Sequence, residues 1–161
     1  MNVASRSAEV VIYGATAGGC VAALAAAGAG ATVILVEPCG HVGGMLTGGL
    51  SRTDVERLEP LIGGLALEIF RAIGDRYGTP GQPAWRFEPH VAEAVLADPL
   101  AEARVDVIRG SPLEGCTVEG GRITGIRTAT AHVAGCARPS ALSWRRGAEV
   151  TPPAAGGAAR R

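Results

Sequence analysis

The sequence predicts an α/β fold with a parallel β-sheet at its centre. Residues 9–37 hold no charged side chain between the two end glutamates, and their structural preferences change twice along the chain. Residues 10–13 favour a strand, residues 20–27 a helix and residues 32–36 a second strand. Glycines cluster between these segments, as expected for turns. Apolar strand, helix and strand in succession are typical of a βαβ unit that is covered on both faces.

A transmembrane helix is the alternative for the same stretch. About 20 apolar residues suffice to cross a bilayer, and residues 10–36 offer 27 uncharged positions. However, nine of these are Ala and five are Gly, and glycine clusters interrupt a continuous helix. We therefore predict the βαβ unit and no membrane span.

The balance of charge and the cysteines narrow the class of partner. Fifteen Arg and no Lys balance fifteen acidic residues, for a formal net charge of +0. No basic excess indicates nucleic acid or an anionic membrane. The four cysteines lack the spacing of a metal site, and the first residues do not resemble a secretory signal. We expect a small-molecule partner, no metal and a cytoplasmic location; the oligomeric state is left open.

The turn GATAGG, residues 14–19, carries the strongest functional signal. It follows the first strand and opens the helix, where the dinucleotide-binding fingerprint GxGxxG belongs in a Rossmann fold. Gly14 allows a tight turn, Gly19 allows the helix to lie close to the sheet, and the helix start directs amides at a pyrophosphate. Thr16 replaces the middle glycine, and its hydroxyl can donate a hydrogen bond.

Glu37 ends the second predicted strand, 18 residues after Gly19. An acidic residue at about this interval binds the ribose hydroxyls of a dinucleotide, and its charge disfavours a 2′-phosphate. The pattern therefore predicts FAD or NAD rather than NADP. The glycine-rich residues 38–54 either continue this cradle or form an ordinary surface loop.

Two helices are predicted after the cradle. Apolar side chains recur at helical spacing over residues 61–73, and this helix is expected to end at Gly74 or at residues 77–78. A second helix begins near Pro89, a favourable first position. We expect Pro99 to break it near residue 98. His90 is either a candidate catalytic base or a residue of the helix start.

The segment after residue 104 reads as β-structure. Residues 105–110 predict a further parallel strand, and residues 116–129 predict a hairpin that turns through Gly120 and Gly121.

Several motifs in sequence order resemble one family. VVIYGATAGG, VILVEP, GHVGGMLTGGL with the nearby TD, IGGLALEIF and WRFEPHVAEAVL are similar to the N-terminal part of the FAD-dependent oxidoreductases of the glutathione-reductase-like flavoprotein superfamily. In the most similar subgroup, members typically read YGGTPAGI, GHLGGM and FEPHVAE, so Thr16 fits that subgroup. The resemblance covers about residues 8–130. It implies a Rossmann-like FAD/NAD(P)-binding sheet with a small β-hairpin excursion, and hydride transfer between a substrate and flavin N5.

The resemblance also implies a set of cofactor-binding residues. A first group forms the pyrophosphate loop, and Glu37 binds the adenosine ribose, followed by a proline that also contacts the cofactor. A second glycine group leads toward the flavin ring, with residues 47–50 near its reactive end, and one backbone position contacts adenine. In order along the chain these residues are Gly14, Ala15, Thr16, Ala17, Gly18, Gly19, Glu37, Pro38, Gly43, Gly44, Met45 and Leu113. No residue stands out as a catalytic acid or base.

The resemblance stops at about residue 130. The family continues with another strand and a motif of the type IDATxxGD, whereas residues 131–161 show no apolar period and hold five Arg against Glu149 alone. We therefore predict a partial FAD-binding domain over residues 8–130, incomplete at its C-terminus, and a disordered or frameshifted tail over residues 131–161.

Three functions follow from these observations. The first is an FAD-dependent oxidoreductase of unidentified substrate, represented by its dinucleotide-binding portion. The second is an NAD-binding dehydrogenase or reductase domain. The third is an inactive truncated fragment.

Overall fold

The computed structural model describes residues 4–55 and 59–137 and contains one six-stranded sheet in the order β3-β2-β1-β6-β5-β4. The strands are β1 (Ala4–Tyr13), β2 (Val33–Val36), β3 (Asp106–Ile108), β4 (Leu113–Glu119), β5 (Arg122–Thr128) and β6 (Ala131–Ala137). The helices are α1 (Ala17–Gly28), α2 (Gly64–Arg76) and α3 (Pro89–Glu102), and short 3₁₀ helices lie at Gly44–Leu46 and Glu59–Leu61.

The first βαβ unit is confirmed. β1 pairs in parallel with β2, and β2 pairs in parallel with β3. Successive residues of a strand face opposite sides of the sheet, so Ile12 packs into a core with α1 and α3, whereas Val11 packs into a second core on the other face. Residues 10–36 thus form strand, helix and strand. In the part of the chain that the structure describes, no helix is long and apolar enough to cross a membrane.

Helix α3 begins at Pro89, as predicted, but the predicted break near residue 98 is wrong. The helix continues through Pro99 to Glu102. Leu96 and Leu100, one turn apart on either side of this proline, are both fully buried in the core beneath α1. An internal proline costs about 3 kcal/mol of helix stability, and burial of Leu100 beyond it, worth about 1.5–3 kcal/mol, offsets much of that cost.

Helix α2 also follows the prediction, with one difference at its start. It ends at Arg76 with Tyr77 as the capping residue. Leu61, which we assigned to this helix, lies in the preceding 3₁₀ turn and is exposed. The break falls where two glycines, Gly63 and Gly64, begin α2, and Gly64 has a positive φ of 57°, which glycine adopts without steric cost.

The predicted hairpin is confirmed as β4 and β5, which pair antiparallel around Gly120 and Gly121. Both glycines have positive φ, 56° and 77°, as a tight two-residue hairpin turn requires. The hairpin is continuous with the main sheet, because β5 pairs with β6 and β6 pairs with β1.

A strand follows the predicted domain boundary at residue 130 directly. Residues 131–137 form β6, which lies between β1 and β5. Ala131 and Val133 are buried while His132 and Ala134 are exposed, so the strand does alternate, but its small side chains hide the pattern. The remainder of the predicted tail, residues 138–161, lies outside the described residues.

Candidate dinucleotide-binding site

The loop between β1 and α1 requires glycine at both ends of its fingerprint. Gly14 has φ of 96°, and its amide donates to the Val36 carbonyl oxygen at 2.7 Å. A Cβ atom at position 19 would lie 2.0 Å from the Gly14 carbonyl oxygen, closer than any contact between non-bonded atoms. The turn and the close approach of helix to strand therefore both depend on the absence of a side chain.

Thr16 caps the start of α1. Its Oγ1 accepts a hydrogen bond from the Gly19 amide at 3.1 Å, and its carbonyl accepts the first helical bond, from the Cys20 amide at 2.8 Å. The amides of Ala17 and Gly18 therefore precede the helical ladder and point away from the helix start. Together with the positive end of the helix dipole, they can bind an anion.

Glu37 is buried, with 7% of its surface exposed, at the end of β2. Its Oε2 accepts the Ala15 amide at 2.7 Å, and its Oε1 accepts the Cys39 amide at 2.8 Å. The carboxylate thus joins the loop after β1 to the loop after β2. Sequence reasoning assigned Glu37 to a ligand and missed this second role, since both partners are backbone groups. Pro38, the next residue, is half-buried.

The glycine-rich loop packs directly against the first loop. Gly43 donates its amide to the Ala15 carbonyl at 2.6 Å, and a parallel bridge joins Gly43 to Thr16. Gly43 has φ of 104°, and a Cβ there would lie 2.3 Å from the Thr47 side chain and 2.9 Å from Leu96. The structure therefore brings the two predicted glycine groups together at the carboxyl end of β1.

The rest of this loop extends away from the contact. Gly44 touches Thr16, because a Cβ at position 44 would be 3.2 Å from its Cα and side-chain carbons. Met45 and Leu50 are 80% and 69% exposed. Thr47, between them, turns back and donates from its Oγ1 to the Val42 carbonyl at 2.6 Å. Of the residues predicted to lie toward the flavin, the two glycines contact or adjoin the first loop, and Met45 and Leu50 face outward.

Glu93 is a residue of this site that sequence reasoning did not assign. It lies on α3, and its carboxylate accepts the Val42 amide at 3.2 Å and contacts His41 Nδ1 at 3.0 Å. The signal was present in the FEPHVAE motif, which we quoted without a role. His90, the candidate base from that motif, is exposed in the first turn of α3.

Leu113 lies near the predicted ribose site, but its amide is already occupied. The preceding residues approach the loop after β2, since Ser111 donates its amide to the Glu37 carbonyl at 2.9 Å and Gly110 donates to the Cys39 carbonyl at 2.8 Å. The Leu113 amide itself donates to Tyr13 Oη at 2.9 Å. The Leu113 amide is therefore not available for the predicted backbone contact to adenine.

Cys20 lies behind the first loop and is fully buried. Its Sγ is 3.5 Å from the Ala15 carbonyl oxygen, and burial raises the pKa of the thiol from 9.0 to about 11. Cys39 and Cys116 are exposed. Within residues 4–55 and 59–137 there is no group of three or more His, Cys, Asp or Glu side chains placed to bind a metal ion.

Parallel pairing of β1, β2 and β3, a capped helix start after β1 and a buried acid at the end of β2 define a Rossmann-like dinucleotide-binding protein. Residues 9–138 match the family of FAD dependent oxidoreductases. The chain belongs to this family of redox enzymes, whose cofactor is FAD. The family match confirms the predicted family and its cofactor. No curated protein matches the chain.

Solved structures of several enzymes share the fold. L-amino acid deaminase from Proteus vulgaris has a TM-score of 0.58 at 14% identity, over 86% of this chain and 49% of that chain. L-proline dehydrogenase from P. horikoshii has a TM-score of 0.58 at 13% identity, over 82% and 52%. Thioredoxin reductase from T. acidophilum has a TM-score of 0.51 at 20% identity, over 81% and 33%. The chain thus spans about half the length of the first two, and the similarity shows the fold alone.

Proposed function

We propose that this chain binds FAD as the dinucleotide-binding portion of an oxidoreductase that transfers hydride between a small-molecule substrate and the flavin. The observation that carries the proposal is the buried Glu37 carboxylate, which is hydrogen-bonded to the loop that opens α1. An acid at this position and a capped helix start beside it provide the two groups that recognise a dinucleotide, one for a ribose and one for a diphosphate.

The diphosphate is assigned to the start of α1. The amides of Ala17 and Gly18 precede the first helical hydrogen bond. Thr16 Oγ1 accepts the Gly19 amide through a lone pair, so its hydroxyl hydrogen remains available to donate to a phosphate. Gly18 supports this assignment independently. A Cβ there would meet only Thr16 Oγ1, at 3.9 Å, so the fold itself does not require glycine, whereas close approach of a phosphate does.

The adenosine ribose is assigned to Glu37. Each carboxylate oxygen accepts one backbone amide, and an ionised carboxylate has about four lone-pair sites. Acceptor capacity therefore remains on both oxygens for a pair of ribose hydroxyls. The same negative charge repels a 2′-phosphate, which favours FAD over NADP.

The flavin is assigned to the side of the cradle formed by Gly43, Gly44 and Met45. The two glycines let this side of the cradle pack directly against the first loop, and the exposed Met45 offers an apolar contact. When bound, FAD supplies the hydride chemistry. The residues of this chain orient it. The catalytic acid or base, if the reaction uses one, is not assigned to any described residue.

The location and extent of the domain are also proposals. A cytoplasmic location is supported by three free thiols, those of Cys20, Cys39 and Cys116, which suit a reducing compartment. We propose that the FAD-binding unit includes β6, so that it extends to residue 137 rather than 130.

Titration of the purified chain with FAD tests the proposal, with flavin fluorescence and absorbance as readouts. Cysteine alkylation provides a second readout with an internal control. Cys39 adjoins Glu37, whereas Cys116 lies in β4, so FAD should slow alkylation of Cys39 and leave Cys116 unchanged. Binding of NAD but not FAD in calorimetry would support the dehydrogenase alternative. Absence of binding by either dinucleotide would support the inactive fragment.

A further inference from the structure

We infer that Glu93 is a positioning residue for the cofactor site, because its carboxylate holds the loop of residues 41–43 in the place that FAD binding requires. The inference rests on the proposed function and adds to it a residue from α3, which contributes none of the fingerprint positions. It assigns a role to the FEPHVAE segment.

The support behind Glu93 is rigid. Its helix neighbours Ala92, Val95 and Leu96 are at most 4% exposed, so α3 is fixed against the core on both sides of position 93. Leu96 also packs under the loop, because a Cβ at Gly43 would come within 2.9 Å of its Cδ1. The loop therefore has an apolar contact and a polar contact with the same helix, one turn apart.

A continuous series of hydrogen bonds connects Glu93 to Glu37. The Glu93 Oε1 accepts the Val42 amide at 3.2 Å, and the next amide, that of Gly43, donates to the Ala15 carbonyl at 2.6 Å. The Ala15 amide then donates to Glu37 Oε2 at 2.7 Å. Displacement of the loop at Val42 thus moves the peptide groups on either side of Ala15, within the proposed pyrophosphate loop.

The two contacts of Glu93 differ in importance. The His41 side chain is 79% exposed, and ion pairs at such exposed positions contribute little. The Val42 side chain is fully buried in the core, so its amide cannot turn toward water without moving a core residue. Without an acceptor at position 93 this amide becomes unsatisfied. We therefore assign the positioning role to the bond with Val42.

The experiment compares four variants of the full chain by FAD titration. Glu93→Ala should weaken FAD binding at least about tenfold, as expected for loss of a charged hydrogen bond. Glu93→Gln keeps an oxygen for the Val42 amide and should bind FAD within about threefold of the unmodified chain. His41→Gln should have a similarly small effect. Glu102→Ala, which removes the same charge at the exposed C-terminal end of α3, is the matched control and should have none.

Hydrogen exchange of the Val42 amide gives a readout without FAD. Exchange there should accelerate in Glu93→Ala and remain slow in Glu93→Gln, while amides in the centre of β1 stay protected in both variants. This pattern separates local release of the loop from general loss of stability.

Different results overturn different parts. Equal FAD affinity in Glu93→Ala and the unmodified chain overturns the inference alone, as does an equal loss in Glu93→Gln and Glu93→Ala. Slow exchange at Val42 in Glu93→Ala overturns the proposed hydrogen-bond series. An unmodified chain that binds no FAD overturns the proposed function, and this inference with it.

Discussion

Replacement of Glu37 should reduce both the stability of the chain and its affinity for FAD, and the two losses can be measured separately. The carboxylate is buried and accepts two backbone amides, from Ala15 at 2.7 Å and from Cys39 at 2.8 Å. In Glu37→Gln one oxygen remains, so one amide keeps an acceptor and the other faces an NH₂ group. An unsatisfied buried amide costs about 1–3 kcal/mol.

Glu37→Ala removes both acceptors. Hydrogen bonds to a charged group contribute about 1.5–3 kcal/mol each, which gives a loss of about 3–6 kcal/mol. A domain has about 5–15 kcal/mol of stability in total, so this variant should be near the limit of folding. The glutamine variant is therefore the one on which FAD affinity is best measured.

Urea denaturation followed by circular dichroism, in the absence of FAD, measures the loss in the free energy of unfolding. The same denaturation with FAD present measures the loss in FAD affinity. A ligand that binds only the folded state raises the free energy of unfolding by an amount that depends on its concentration and Kd. Glu9→Gln is the matched control. Glu9 also accepts two hydrogen bonds, both from Thr32, but both reach its Oε2 and the residue is exposed, so the glutamine oxygen or water can accept them and the loss should be smaller.

The reasoning fails in two distinguishable ways. If Glu37→Gln unfolds at the same urea concentration as the unmodified chain, the hydrogen bonds from the Ala15 and Cys39 amides do not stabilise the loops after β1 and β2. If it is destabilised but gains as much from FAD as the unmodified chain does, Glu37 has only a structural role, and the ribose assignment is wrong.

Three further predictions concern the fold around the site. Gly19→Ala should cost about 3 kcal/mol in urea denaturation, at the upper end of the range for overpacking, because its Cβ would lie 2.0 Å from the Gly14 oxygen. Gly18→Ala, with open space around its Cβ, should keep its stability and lose FAD affinity; equal stability losses in the two variants would contradict this. Pro99→Ala should raise stability by about 1–3 kcal/mol, and a lower melting temperature would show that the proline fits the helix. Burial raises the pKa of Cys20 to about 11, so the folded state holds the thiol proton more tightly than the unfolded state does. This contribution is fully present below pH 9 and is lost as the pH rises through 11, about 2–3 kcal/mol in all; Cys20→Ala should lose less stability over that range, and an identical pH profile would refute the assignment.

The first βαβ unit was predictable because every level of the sequence agrees on it. β-favouring residues, a helix-favouring segment and glycines in the turns all indicate the same elements, and the fingerprint fixes where Gly14 and Gly19 lie relative to the strand. Glu37 followed from its distance along the chain. Local preference, periodicity and motif spacing are the properties that a single sequence records directly.

Glu93 was not predictable in the same way, because its partners lie 51 and 52 residues earlier in the chain. Its role depends on how α3 packs, which spacing alone does not determine. Pro99 shows the converse. The cost of a proline inside a helix was predicted correctly, but α3 continues through Pro99 because Leu96 and Leu100 are buried in the core. β6 was missed because its sequence consists mostly of small residues such as Ala and Gly. It therefore lacks the alternation of large apolar and polar side chains that usually indicates a strand.

The place of β6 in the sheet has a consequence for the order in which the strands pair as the protein folds. β6 is the last described strand in the chain, yet it pairs with β1, the first, through partners more than 120 residues apart, such as Ala4 with Ala131. During synthesis β1 therefore has an open edge until residue 137 has left the ribosome, and the hairpin has no sheet to join. Pairing over such a separation is slow. Pulse-labelled exchange during refolding should show the amides of β2 protected before those of β6, and simultaneous protection would argue against this order.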